Sequence, residues 1–192
     1  SGSGDALSRG MKVPYVDIGA QYARNSGVLE VIAGVLERGQ FILGPEVEAF
    51  GRHFADFCGC RFAVSVSSGT DALFLGLKAL GIGPGDEVVT VPNTFLSTVA
   101  AVATTGAVPV LVDVGDDYNM DPDLLEEAIG PRTRAVIPVH LTGRPARMKE
   151  IAAIAARQGI KILEDAAQAV APPSTVSAPA PWEIWALSAS IP

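Results

Sequence analysis

GIGPGDEVVTVPNTFLSTVAAVATTGAVPVLVDV, residues 81–114, decides the fold. GIGPG is turn chemistry, and EVVTV follows it as a strand. Phe95 to Thr104 carries a helix, and VPVLVDV is a second strand. Both strands are Val/Leu runs rather than half-polar alternations, which marks strands covered on both faces. A helix between two such strands is the crossover of a parallel pair. The alternation extends in both directions. FAVSVS (62–67) reads as a strand, SGTDALFLGLKAL (68–80) as a helix, RAVIPV (134–139) as a strand and KILED (161–165) as a strand. Asp121-Pro122 opens a helix to Ile129, and Ala146 to Arg157 forms another. Upstream, a helix from Asn25 to Arg38 stops at Gly39. Pro45 then starts PEVEAFGRHFADF, with Glu46 and Glu48 near the positive end of its dipole. The expected fold class is α/β, a mainly parallel sheet with helices on both faces.

The totals agree with one domain that has a real core. The chain has 192 residues, 48% apolar and 18% charged, so it is globular. A formal net charge of −7 argues against a nucleic-acid surface, which normally shows a basic face. No apolar run is long enough to span a bilayer, and no signal-peptide pattern opens the chain. Residues 1–10, SGSGDALSRG, look like linker or upstream read-through. Cys58 and Cys60 in FCGC, without further cysteine or nearby histidine, make a poor zinc site. They are expected to be reduced thiols in a cytoplasmic protein, with no metal bound.

In parallel sheets ligands collect beyond the carboxyl ends of the strands. Ser68-Gly69-Thr70 there offers hydroxyls and free backbone N–H groups at a helix start, which suits a phosphate; an ordinary N-cap is the alternative. It is neither a dinucleotide fingerprint nor a P-loop. Asp165 is a solvated acid, a helix cap, or the partner of a buried cation such as the protonated ring nitrogen of pyridoxal phosphate. In that last case Gln168 donates to the ring hydroxyl oxygen and Phe95 stacks on the ring face, unless Phe95 is core. His140 and Asp113 look structural, and His53 looks like a surface residue.

Taken together, these stretches resemble the DegT/StrS-type sugar aminotransferases. The matching segments are FILGPEVEAF (41–50), SSGTDAL (67–73), GIGPGDEVV (81–89), PNTF (92–95), GAVPVLVDV (106–114), AVIPVHLTGRPARM (135–148) and ILEDAAQA (162–169). The resemblance runs from about Val13 to Ala169. It implies the fold-type I large domain, incomplete here, over residues 11–169. It also implies pyridoxal 5'-phosphate as cofactor, with Gly69 and Thr70, flanked by Ser68, as phosphate contacts. Phe95 would lie on the ring, Asp165 at the ring nitrogen and Gln168 near the ring hydroxyl. The implied reaction moves an amino group from glutamate to a keto-sugar linked to a nucleoside diphosphate, in a homodimer. FILGPEVEAF would border the substrate site.

The resemblance stops after Ala169. The family continues with a G-D-x-G-type element and then S-F-H/Y-P-x-K, whose lysine forms the Schiff base with the cofactor; no such catalytic lysine is legible here. The last 22 residues instead hold five Pro, five Ala, both Trp and no Gly. A linker or disordered tail is one explanation. A one-base frameshift is another: with Trp encoded only by TGG, Trp182-Glu183 and Trp185-Ala186 each hide a glycine in the neighbouring frame. Between them the hidden residues are Asn or Asp, then Leu or Met. Residues 170–192 are therefore expected to be a non-native or disordered tail, and the chain to be inactive by itself. A sugar dehydratase of the same lineage and a non-catalytic fragment are the alternatives.

Overall fold

The structure, a computed structural model, describes residues 17–23, 27–169 and, as backbone, 183–186. These fall into two compact units, one up to Glu48 and one from Ala49. The first holds α1 (Ile18–Ala23), α2 (Gly27–Arg38) and the first turn of α3 (Pro45–Cys58). Pro45 opens α3, as its fixed φ allows, and Glu46 beside the helix start pairs with Arg38. The second unit holds the rest of α3 and α4 (Gly69–Ala79), β1 (Glu87–Thr90), α5 (Leu96–Thr105), β2 (Val108–Leu111), α6 (Pro122–Ala128), β3 (Thr133–Val136), α7 (Met148–Gln158), β4 (Lys161–Asp165) and β5 (Glu183–Ala186).

The sheet is parallel throughout, in the order β2-β1-β3-β4-β5. Successive residues of each strand face opposite layers. Val89, Val136 and Ile162 point to the layer of α6 and α7, against Leu125, Met148, Ile151 and Ile154. Val88, Ala135 and Leu163 point to the layer of α4 and α5, against Leu73, Leu77, Ala101 and Val102. Burial on both faces explains why these strands lack a polar alternation. α5 is rich in β-branched residues, so packing rather than propensity holds it: Thr98, Ala101, Val102 and Thr105 form its buried stripe. It ends at Gly106 with φ 88°, where a Cβ would also sit 2.8 Å from Pro84 Cγ.

FAVSVS differs from its expectation. Residues 62–67 form no strand ladder among the described residues, and Phe62 and Val64 are 76% and 83% exposed. The pattern encodes an extended tendency, but a strand also needs a partner along its edge, and none of the described strands lies there. The tail from Val170 lies outside the described residues except Glu183–Ala186, whose backbone pairs in parallel with β4.

The chain order reverses between β1 and β3, and in parallel sheets it is there, beyond the carboxyl ends of the strands, that a crevice forms. Its floor is braced from the α7 side. His140 and Glu164 are 5% and 0% exposed at their side chains. The Ala146 N–H donates to His140 Nδ1 (3.2 Å), so Nδ1 is the bare nitrogen and Nε2–H donates to Glu164 Oε2 at 2.8 Å. The backbone doubles this tie: Asp165 N–H donates to Pro138 O and His140 N–H to Asp165 O. Buried Asn119 holds the following loop, accepting from Leu141 N–H and donating to Arg144 O.

Removing one member of a buried pair strands the other, a loss of about 3–5 kcal/mol. His140→Leu should therefore lower the unfolding free energy from urea titration by that much, and the double variant His140→Leu/Glu164→Leu should recover most of it. Leu77→Ala, at a fully buried site, should cost about 2–5 kcal/mol. Val64→Lys should change stability by less than about 0.5 kcal/mol. Burial, with Cys60 adding to it, pushes the Cys58 thiol up. Both cysteines are free thiols, Cys58 buried and Cys60 half-buried. At about pH 8 iodoacetamide should modify Cys60 before Cys58, as peptide mass spectrometry would show.

Candidate functional site

Two helices aim their N-termini at the crevice. α4 starts at Ser68, whose hydroxyl accepts from Asp71 N–H at 3.1 Å. Ser68 is thus an N-cap, and the first-turn N–H groups of Gly69 and Thr70 lack intrahelical acceptors by helix geometry. The Asp71 carboxylate is turned to the Ser67 hydroxyl. α5 starts beside Phe95. Thr70 Oγ1 donates to Ser97 Oγ at 2.9 Å, so the two helix starts touch. Converging N-termini, each with partial positive charge, favour an anion such as a phosphate monoester.

The next residue of α5 reaches the acid. Thr98 Oγ1 donates to Asp165 Oδ2 at 2.8 Å. Asp165 is 6% exposed. Its other oxygen accepts from Ala167 N–H at 3.3 Å. No ion pair compensates it among the described residues. Neighbouring Glu164, on the opposite face of β4, also leaves Oε1 without a hydrogen-bond partner among the described residues. A buried carboxylate with hydroxyl and amide donors but no cation matches a protonated ring nitrogen. Through Ser97 and Thr98, adjacent in one helical turn, the Ser68-Gly69-Thr70 turn and Asp165 are tied to the same helix start.

Gln168 closes another side. Its Oε1 accepts from Thr142 N–H at 2.6 Å, which leaves its amide NH₂ free to donate outward. Thr142 holds that N–H in place with φ 55°, a left-handed conformation unusual for a β-branched residue. Phe95 is 75% exposed. It is therefore not core, and its ring is available to a ligand.

His140, by contrast, is spent on Glu164. His53 is exposed on α3, and Asp113 is exposed and bonds its own turn through Val114 N–H. No group of three or more His, Cys, Asp or Glu among the described residues is arranged to hold a metal. Sequence reasoning missed Ser97, Thr98, Thr142 and Glu164. The visible signal was Ser97-Thr98, two hydroxyls inside an otherwise apolar helix start that follows a strand end.

Comparison with known proteins points the same way. Residues 24–175 match the model of the DegT/DnrJ/EryC1/StrS aminotransferase family. The chain is 48% identical over 160 residues to the dTDP-3-amino-3,4,6-trideoxy-alpha-D-glucose transaminase of Streptomyces venezuelae, covering 82% of this chain and 42% of that protein. The crystal structure of S. venezuelae DesV in complex with a ketimine intermediate superposes with a TM-score of 0.78 at 48% identity, over 82% of this chain and 43% of that one. NtdA from Bacillus subtilis with bound cofactor PMP superposes with a TM-score of 0.79 at 38% identity, over 84% and 38% of the two chains. The chain thus spans less than half the length of these relatives. With the family model covering most of its residues, this chain belongs to the DegT/DnrJ/EryC1/StrS aminotransferase family.

Proposed function

We propose that the described residues form the noncovalent cradle for pyridoxal 5'-phosphate in a protein that transfers an amino group from glutamate to a nucleotide-linked keto-sugar. The observation that carries this is the meeting of the Ser68-Gly69-Thr70 turn and Asp165 on the first turn of α5. When bound, the cofactor supplies an electron sink and a carrier for the amino group. The N–H groups of Gly69 and Thr70 and the Ser68 hydroxyl hold the phosphate. Asp165 accepts from the ring nitrogen and keeps its proton there. The Gln168 NH₂ donates to the ring hydroxyl oxygen, and Phe95 covers one ring face.

The similarity to a dTDP-sugar transaminase supports the substrate class. A cytoplasmic homodimer is part of the same proposal. Among the described residues no helix is long and apolar enough to cross a membrane.

The sequence has four lysines, of which Lys12 lies outside the described residues. Lys78 lies in the last turn of α4, remote from that helix's N-terminus. Lys149 is exposed on α7, and Lys161 starts β4 at the end opposite Asp165. None of these three described lysines stands at the cradle.

Fluorescence titration with pyridoxamine 5'-phosphate tests the cradle. Wild-type chain should bind, and Asp165→Asn should weaken binding about tenfold or more, the scale of a charge-assisted hydrogen bond. Equal affinity in the two proteins would refute the placement of Asp165. Glutamate-dependent amination of a dTDP-keto-sugar by the full-length protein tests the reaction.

A further inference from the structure

Thr98 is fully buried on a helix of alanines and valines. A hydroxyl there must find partners. The usual solution is to bond back to a carbonyl of the same helix. Two other threonines of α5 do so: Thr104 donates to Ala100 O and Thr105 to Val102 O, each at 2.7 Å. Thr98 does not. It reaches out of its helix to Asp165, 67 residues on.

Its second bond gives the arrangement a direction. Thr94 Oγ1 lies 2.8 Å from Thr98 Oγ1. The Thr98 hydroxyl has a single proton, and it goes to Asp165 Oδ2. Thr98 must then accept from Thr94. Protons thus point along Thr94, Thr98, Asp165, all toward the acid. With Ala167 N–H on Oδ1, this fixes the carboxylate's plane.

We propose that Thr98 is a positioning residue for the cofactor: its hydroxyl, oriented by Thr94, fixes the Asp165 carboxylate and aims it at the ring nitrogen. Thr94 also ties the acid to the segment bearing Phe95, so the contacts to the ring edge and ring face are set together. This rests on the cofactor cradle proposed above.

The test uses the full-length chain and two probes. One is pyridoxal 5'-phosphate. The other is its 1-deaza analogue, in which carbon replaces the ring nitrogen. Thr98→Val keeps the shape and removes the hydroxyl. It should weaken binding of pyridoxal phosphate about tenfold while leaving the analogue's affinity unchanged, because only the former uses Asp165. Thr98→Ser should stay within about twofold of wild type for both. A Thr98→Val protein that weakens for both probes alike has lost packing only, and the proposal falls. Thr94→Val, at a half-buried position, provides an independent measure should Thr98→Val not fold. It should lower the preference for pyridoxal phosphate about threefold, and an unchanged preference overturns the relay. Asp165→Asn separates the two levels. If it abolishes the preference for the ring nitrogen while Thr98→Val retains it, only the role of Thr98 is wrong. If it leaves the preference intact, the cradle is wrong as well.

Discussion

A carboxylate held out of water at the end of a strand is the constraint around which this molecule is arranged. Desolvating such a charge costs several kcal/mol unless donors and a cation replace the lost water. The protein supplies donors to Asp165 from two directions, the Thr98 hydroxyl and the Ala167 amide. Among the described residues no cation completes the pair, and it is this gap that the proposed cofactor fills.

The sheet makes that arrangement possible. Parallel strands bring all their carboxyl ends to one edge, and the reversal in strand order separates the connections there into a crevice. The helices that follow place their N-termini at the same edge. The Ser68-Gly69-Thr70 turn and Asp165 are then both tied to the start of α5, their shared strut. From the other face, the His140–Glu164 pair and Asn119 stiffen the loop that presents Gln168. The two layers therefore divide the work: α4 and α5 bring their starts together at the strand-end edge, while the loop before α7 ties to β4.

Local pattern carried much of this into view. The Val/Leu runs of β1 and β2, the Asp121-Pro122 start of α6 and the Ser68 cap of α4 are short-range features, legible from residue type and spacing. Asp165, Gln168 and the Ser68-Gly69-Thr70 turn were legible as candidates because each follows a predicted strand. Segment 62–67 shows the limit: its apolar alternation says nothing about whether a neighbouring strand exists to pair with it. Thr98 shows another. Nothing local distinguishes it from Thr104 or Thr105, and only the packing of α5 on β4 reveals that its hydroxyl leaves the helix.

The amino-acid sequence by itself determined most of the helices and strands, segment 62–67 excepted, that the central strands are buried on both faces, and that Asp165 stands at a strand end. Those outcomes follow from backbone preference and apolar period, which act over a few residues. Tertiary structure alone decided that the turn at Gly69 and the acid at Asp165 meet on one helical turn, that Phe95 faces outward, and that His140 is consumed by Glu164. Each of these depends on contacts between residues distant in the chain, whose pairing is set by how the layers close and not by any local pattern.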